Sequence, residues 1–336
     1  MTWQSLGSLA MPHELHARGA RLRNDLQRLS HEVTTGRVAE PQRHLKGNLA
    51  PLAAVEHRLA RIDSFEQSLA QRQTRLAATE ATLGLFIDQA DEIAQRLRMP
   101  HNPGVMTNSP ALADGGARGA LDGFITAMNQ PVAGQTLFAG TQVDRPALPA
   151  TDAVLAAAEA AITGLQTAEG IIAALEDFFM DDGGGFMSAI YAGGPPVPEG
   201  PAPSGAAQRA LPTAADPQVR QALMALSMAG ILSGPAAPED ANERRALELG
   251  AASALGSAKA GMVALTGSIG FAQADTMREK TRLSGERDAL VLTREGMIGA
   301  DPFAAATRLE QTRGQLESLY MVTARLSRLS LTEFLR

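Results

Sequence analysis

All six histidines lie before residue 102, and His13-Glu14-Leu15-His16 sets two of them beside a carboxylate. Imidazoles and a carboxylate in one short helical segment are the raw material of a zinc site. The zinc-protease helix needs H-E-x-x-H, with its second histidine one residue later than this chain places it. No third ligand follows at a regular distance, and the chain has no cysteine to supply one. Polar helix ends account for His13 and His16, and equally for His31, His44 and His57. No metal site is expected.

The other chemical candidates fail on the same kind of test. Gly183-Gly184-Gly185 lacks the Lys-Ser/Thr that completes a phosphate loop, so it reads as a flexible loop. No G-x-S-x-G elbow is present, and no carboxylate pair stands in an apolar setting. Asp177, Asp181 and Asp182 lack the alternation of a calcium loop and read as a solvated acidic loop. Arg18, Arg21, Arg23 and Arg28 are interleaved with leucines, Asp25 and Glu32, with no aromatic residues among them. That is a charged helix face rather than a nucleic-acid arm. The expectation is a protein without catalysis or cofactor.

Composition agrees. The 336 residues are 45% apolar and only 4% aromatic, with a net charge of −6. The absence of cysteine excludes a disulfide scaffold, a thiolate zinc site and a cysteine nucleophile. A net negative charge argues against a general nucleic-acid binder. No stretch reaches the roughly 18–20 apolar residues of a membrane span, and the start lacks a basic segment followed by an apolar one. The charge is uneven: segments 1–98 and 242–336 each sum to +2, whereas 99–241 sums to −10 and holds 15 of the 19 prolines. Two charged ends flank a Pro/Gly-rich acidic middle.

Periodicity explains the ends. Leu15, Leu22 and Leu29 recur every seven residues, with Leu26 and Val33 in the alternate phase, which lays a coiled-coil seam along one helix. Thr35-Gly36 ends it, with Pro41 beyond. A second helix begins near Asn48–Pro51 and runs to Arg98, carrying Val55, Ile62, Leu69, Leu76, Leu83, Ala90 and Leu97. A helix of about 50 residues is near 75 Å long, which demands a bundle or coiled coil. Leu255, Met262, Ile269, Thr276, Leu283, Leu290 and Met297 mark a third helix over about 242–296, broken by Gly296 and Gly299. Asp301-Pro302 restarts a last helix bearing Leu309, Leu316, Leu319, Leu326 and Leu329.

The predicted fold is therefore mainly α: an elongated antiparallel helical bundle or coiled coil formed by both chain ends, with a small α/β insert in the middle. In that middle, 136–143 reads as a strand pair or turn, Val154–Phe179 and Gln218–Leu232 as helices, and 188–191 and 208–211 as short strands. The expected division is a terminal coiled coil from 1–45 and 300–336, a long-helix rod from 46–150 and 242–299, and an acidic outer insert over 151–241.

At three places the residues resemble a known family. Leu26 through Val38, reading L-Q-R-L-S-H-E-V-T-T-G-R-V, is similar to the amino-terminal signature of the flagellin family, with Gly36 and Arg37 in its turn. Asn129, then Gly134, Phe138 and Gly140 in G-Q-T-L-F-A-G-T, resembles a segment of the family's branch at the hook–filament junction. Ala306 through Leu331 is similar to the family's carboxy-terminal helix. The likeness covers about the first 145 and last 95 residues. Ala39-Glu40-Pro41-Gln42 departs from the Asp-rich element common after the turn.

The resemblance implies a structural, extracellular component of the bacterial flagellum, exported by the flagellar type III route without a cleaved signal. It implies no enzyme activity, cofactor or metal, and no nucleic-acid or membrane partner. Implied partners are neighbouring copies in a ring, the other hook-associated junction protein, flagellin and an export chaperone. Leu15, Leu22, Leu26, Leu29 and Val33 are expected to pair with Leu309, Leu316, Leu319, Leu326 and Leu329, with neighbouring subunits covering what remains. The alternatives are a flagellin filament subunit and, in another class, a soluble coiled-coil adaptor or chaperone.

Overall fold

The computed structural model describes residues 4–99, 116–198, 200, 202–205 and 208–334, with the side chains of 4–12 and 326–334 outside the description. It is mainly helical. In chain order the elements are α1 (Gln4–Thr35), α2 (Pro41–His44), α3 (Ala50–Arg98), α4 (Gly116–Asn129), β1 (Pro131–Val132), β2 (Gln135–Thr136), α5 (Thr151–Ala161), α6 (Ala168–Met180), α7 (Pro217–Ile231), α8 (Ala241–Ile298) and α9 (Pro302–Phe334). Two compact units emerge: residues 1–64 with 282–336, and residues 65–281.

In the first unit, α1 packs on α9, and the start of α3 accompanies the end of α8. Val55, Leu59, Ile62 and Leu283 are buried there. Arg58 pairs with Glu286, and Arg287 with Asp63 at 3.4 Å, so the two long helices are also fastened by charge.

The second unit is built around α7. Every residue of that helix from Val219 to Ile231 is buried except the half-exposed Gln221. A helix that is apolar on nearly all sides is stable only when other elements surround it. Helices α4, α5 and α6 do so, and Leu76, Leu83, Phe86 and Leu97 of α3 join Leu247, Leu255 and Met262 of α8 in the same core. Arg220 is a buried charge on α7. Its guanidinium donates to the carbonyls of Phe179, Met180 and Asp181 and pairs with Asp182 at 2.9 Å, closing the carboxyl end of α6. Arg245 does the same for α3, donating to the carbonyls of Leu97, Arg98 and Met99. Cations suit these positions because the last carbonyls of a helix are unpaired and carry its negative dipole end.

Several expectations change. The predicted helix over 154–179 is two helices, because Ile162 to Thr167 make a turn with Gly164 at φ +83° and Thr167 capping α6 through the Gly170 amide. No strand occurs among the described residues of 151–241, which are helical or irregular. Phe186–Ile190 is a π-helical turn, and 208–211 is irregular. The strands lie earlier: β1 and β2 form one antiparallel hairpin, and Leu137–Ala139 turns as a 3₁₀ helix directly after it. Gly296 does not break α8, which continues to Ile298. Gly299 stops it.

Candidate assembly surfaces

The leucine seams of the two ends meet. Leu15 and Leu22 share an open groove of 520 Å³ with Gly314, Leu319 and Val322, whereas Arg28 and Glu32 lie with Ala304, Ala305 and Arg308. The residue numbers run in opposite senses, so α1 and α9 are antiparallel. Leu29 is buried, while Leu22, Leu26, Leu309, Leu316, Leu319 and Leu15 are half-buried. Two helices can cover each other's seam from one side only, which leaves the flanks open. Val33 is exposed at 38%, near the level where the facing segment of the same chain is in the turn before α9. Tyr320, Met321 and Val322 of α9 are exposed as well. The side chains of Leu326 and Leu329 lie outside the described residues.

Gly36 and Arg37 form the clip at one end of this pair. Gly36, at φ +68°, takes the left-handed conformation that closes a helix at little cost for glycine. The chain then lies antiparallel to residues 298–300: the Val38 amide donates to Ile298 and the Ala300 amide to Gly36, bridging Arg37 to Gly299. The Arg37 guanidinium binds the Glu295 carboxylate, with Nη2 at 2.6 Å from Oε1. Asp301 caps α9 by accepting from the Phe303 and Ala304 amides. The turn signature in the sequence is thus one half of a two-chain clip. Its other half, Glu295 with Gly299 and Ala300, carries no signal recognisable in isolation.

Hydrogen bonding from Arg37, the largest influence, holds the Glu295 carboxyl below its ordinary value of 4.5. A depressed carboxylate adds stability that is present above the ordinary value and disappears as pH falls through the folded one. The clip is therefore expected to weaken below about pH 4.5. Arg37→Ala should flatten that acid limb, measured as the pH dependence of α1–α9 melting; an unchanged limb would assign the effect to other carboxylates.

The second motif is an internal joint. Asn129 ends α4, and its side chain imitates a strand: Nδ2 donates to the Leu148 carbonyl at 2.8 Å while Oδ1 accepts from the Leu148 amide at 3.1 Å. Leu148 itself is buried, so neither group has ready access to water. Asn129→Ala should cost about 2 kcal/mol, one for each hydrogen bond of this kind. Aspartate, which keeps the acceptor but loses the donor, should fail to rescue it in a denaturant titration. Gly134, at φ +80°, follows Ala133 at φ +52°, and the two left-handed residues make the hairpin turn. Phe138 is buried in the core, with its carbonyl accepting from the Ala214 amide. Gly140, at φ +57° and ψ −128°, lies against the backbone of Gly194 and Pro195.

The remaining chemical candidates are scattered. His13, His16, His31, His44 and His57 are all exposed, and His101 lies outside the described residues. Among the described residues, no group of three or more His, Cys, Asp or Glu is placed to hold a metal ion. Asp182 is engaged by Arg220, and Asp181 accepts from the Gly183 amide. The glycine run makes a tight turn rather than a flexible loop, for a Cβ on Gly184 would lie 2.7 Å from the Asp177 carbonyl oxygen. Among the described residues, no helix is long and apolar enough to cross a membrane.

Geometry defines a class: a mainly helical protein whose two chain ends pair through half-covered leucine seams. Compared with protein-family models and with curated proteins, the chain matches none of them.

Proposed function

We propose that this protein is a structural component of the bacterial flagellum, a junction subunit connecting the hook side to flagellin. In this reading both chain ends form one elongated antiparallel bundle in the assembled subunit, and copies join in a ring. The observation that carries it is the α1–α9 pair, which places the two family-like end segments together yet leaves six seam leucines half-buried. Burying a leucine completely is worth about 1.5–3 kcal/mol, so a neighbouring subunit that covers these flanks gains strongly from assembly. The clip formed by Gly36 and Arg37 supports the same reading, because it fixes where both terminal helices leave the longer ones. Export without a cleaved signal, an extracellular location and a chaperone for the exposed seams belong to this proposal.

Seeding tests it. Purified protein added to hook or filament fragments should bind at their ends and then stop, visible as a cap by electron microscopy. Long filaments would identify a flagellin subunit instead, and protein that never leaves the cell lysate would point to an adaptor or chaperone.

A further inference from the structure

Leucines repeat along both terminal helices at the same interval. On α1 they fall at Leu15, Leu22 and Leu29, and on α9 at Leu309 and Leu316 and again at Leu319 and Leu326. Sliding one helix past the other by seven residues, about 10.5 Å, therefore lays leucine on leucine again. A buried polar residue or charge pairs along the seam would exclude such slips. Among the described residues, no hydrogen bond or ion pair runs between α1 and α9: Arg28 pairs with Asp25 within α1, and Arg313 with Glu317 within α9. Thr312 and Thr323, half-buried polar members of the α9 seam, donate to carbonyls of their own helix. Gly19 breaks the repeat, because Leu319 lies against it. The Leu319 methyl that an added Cβ would meet at 3.3 Å is the end of a flexible side chain, so this contact favours the observed register only weakly.

The clip does not repeat. Its backbone bonds join Val38 to Ile298 and Ala300 to Gly36, its ion pair joins Arg37 to Glu295, and each has a single counterpart. Both halves are braced to the helices they adjoin. On the α1 side the Gly36 amide donates to the Glu32 carbonyl, and the Ala39 amide to the Glu32 carboxylate at 3.2 Å. On the other side the Gly299 amide donates to the Glu295 carbonyl, and Asp301 accepts from the first amides of α9. The two terminal helices differ in their freedom to move. Residues 299–301 alone separate α9 from α8, whereas 36–49, with the short α2 among them, separate α1 from α3. The short link fixes where α9 begins; the longer one would let α1 travel.

We propose that the clip of Gly36, Arg37 and Val38 with Glu295, Ile298 and Ala300 selects the register of α1 on α9 from the seven-residue alternatives that the leucine seam leaves open. Arg37 and Glu295 are positioning residues in this device, acting on a seam they do not belong to. Register decides which leucine flanks stand at each level of the pair, and so the surface that a neighbouring subunit would meet. That last consequence rests on the flagellar reading; the register itself rests on the clip.

The absence of native cysteine lets disulfides read the register in the full-length protein. Arg18 and Ser318 are exposed and line the same groove of the α1–α9 pair, so Arg18→Cys/Ser318→Cys reports the observed register. Arg18→Cys with Gln311→Cys, or with Arg325→Cys, reports a slip of seven residues in either direction. A difference in level of about 10.5 Å is beyond the Cα separation that a disulfide spans. Under gentle oxidation the first pair should therefore exceed each of the others by about tenfold or more. Arg37→Ala/Val38→Pro/Ala300→Pro removes the guanidinium and both donating amides. In that background a slipped pair should rise about tenfold relative to the first. Arg37→Ala/Glu295→Ala keeps both backbone bonds and should shift the same ratio by about twofold to fivefold; it decides the matter if the triple variant loses its helical circular dichroism. An unchanged ratio in either folded variant would overturn the proposal, since the seam alone would then set the register. All three disulfides falling together would overturn it too, because the clip would merely hold α1 down. The seeding experiment separates this from the function. Ratios that respond to the clip in a protein that never binds fragments defeat the flagellar reading alone, while fragment binding with unresponsive ratios defeats the register proposal alone.

Discussion

Phe138→Ala lowers the unfolding free energy of the second unit by about 3–5 kcal/mol, the range for removing a large aromatic from a packed core. The ring is 1% exposed and belongs to the cluster that joins α3, α4, α7 and α8. The size of the effect depends on whether neighbours can collapse into the space, and here they are held. The turn that carries Phe138 is fixed on one side by the hairpin and on the other by the Ala214 amide bonded to its carbonyl. Urea unfolding followed by far-UV circular dichroism measures it. A loss below about 1 kcal/mol would mean that the site relaxes and that the aromatic is not a core anchor.

Gly140→Ala should cost about 2–5 kcal/mol, combining backbone strain with overpacking. At φ +57° and ψ −128° the residue occupies a region almost closed to any side chain. Space is the second obstacle: an added Cβ would fall inside the carbonyl oxygens of Gly194 and Pro195. Those oxygens tie the loop down, since Pro195 accepts from the Thr141 amide and Gly194 from the Tyr191 hydroxyl at 2.6 Å. Gly134→Ala is the internal control. It also has a positive φ, but nothing lies within 4 Å of its Cβ position, so only about 1–2 kcal/mol of strain is expected. Equal losses at Gly134 and Gly140 would show that conformation alone, and not the close approach, governs the motif.

The long helices were legible because their signal is repeated. Every member of the series from Val55 to Leu97 is buried, as are Leu255, Met262, Ile269, Thr276 and Leu283 in the matching series. Seven repeats of one spacing outweigh local exceptions such as Gly296, whose conformational cost within a helix is only about 1 kcal/mol. Shorter signals misled. Val154–Phe179 looks continuous because both α5 and α6 are apolar on one side, and the turn between them rests on Gly164 and Thr167. Ser188–Tyr191 has strand composition, but Phe186–Ile190 winds as a π turn that takes in Ser188, Ala189 and Ile190. Among the site residues, Gly36 and Gly140 announced themselves by type, while their partners did not. Glu295 is one acidic residue among 36, and nothing local marks it as the ligand of Arg37, 258 positions earlier.

That separation has a temporal consequence. A ribosome makes Gly299 long after Arg37, so the bridge between them cannot form until synthesis has passed Gly299. The entropic toll of closing so long a span grows only logarithmically, by about 0.6 kcal/mol for each doubling, and therefore does not forbid it. Sequence order is what delays it. The hydrophobic cluster over residues 76–269 is complete before α9 has been made, leaving the α1 seam waiting for its counterpart. A chain released short of Glu295 would keep every residue of that cluster and lose the whole clip.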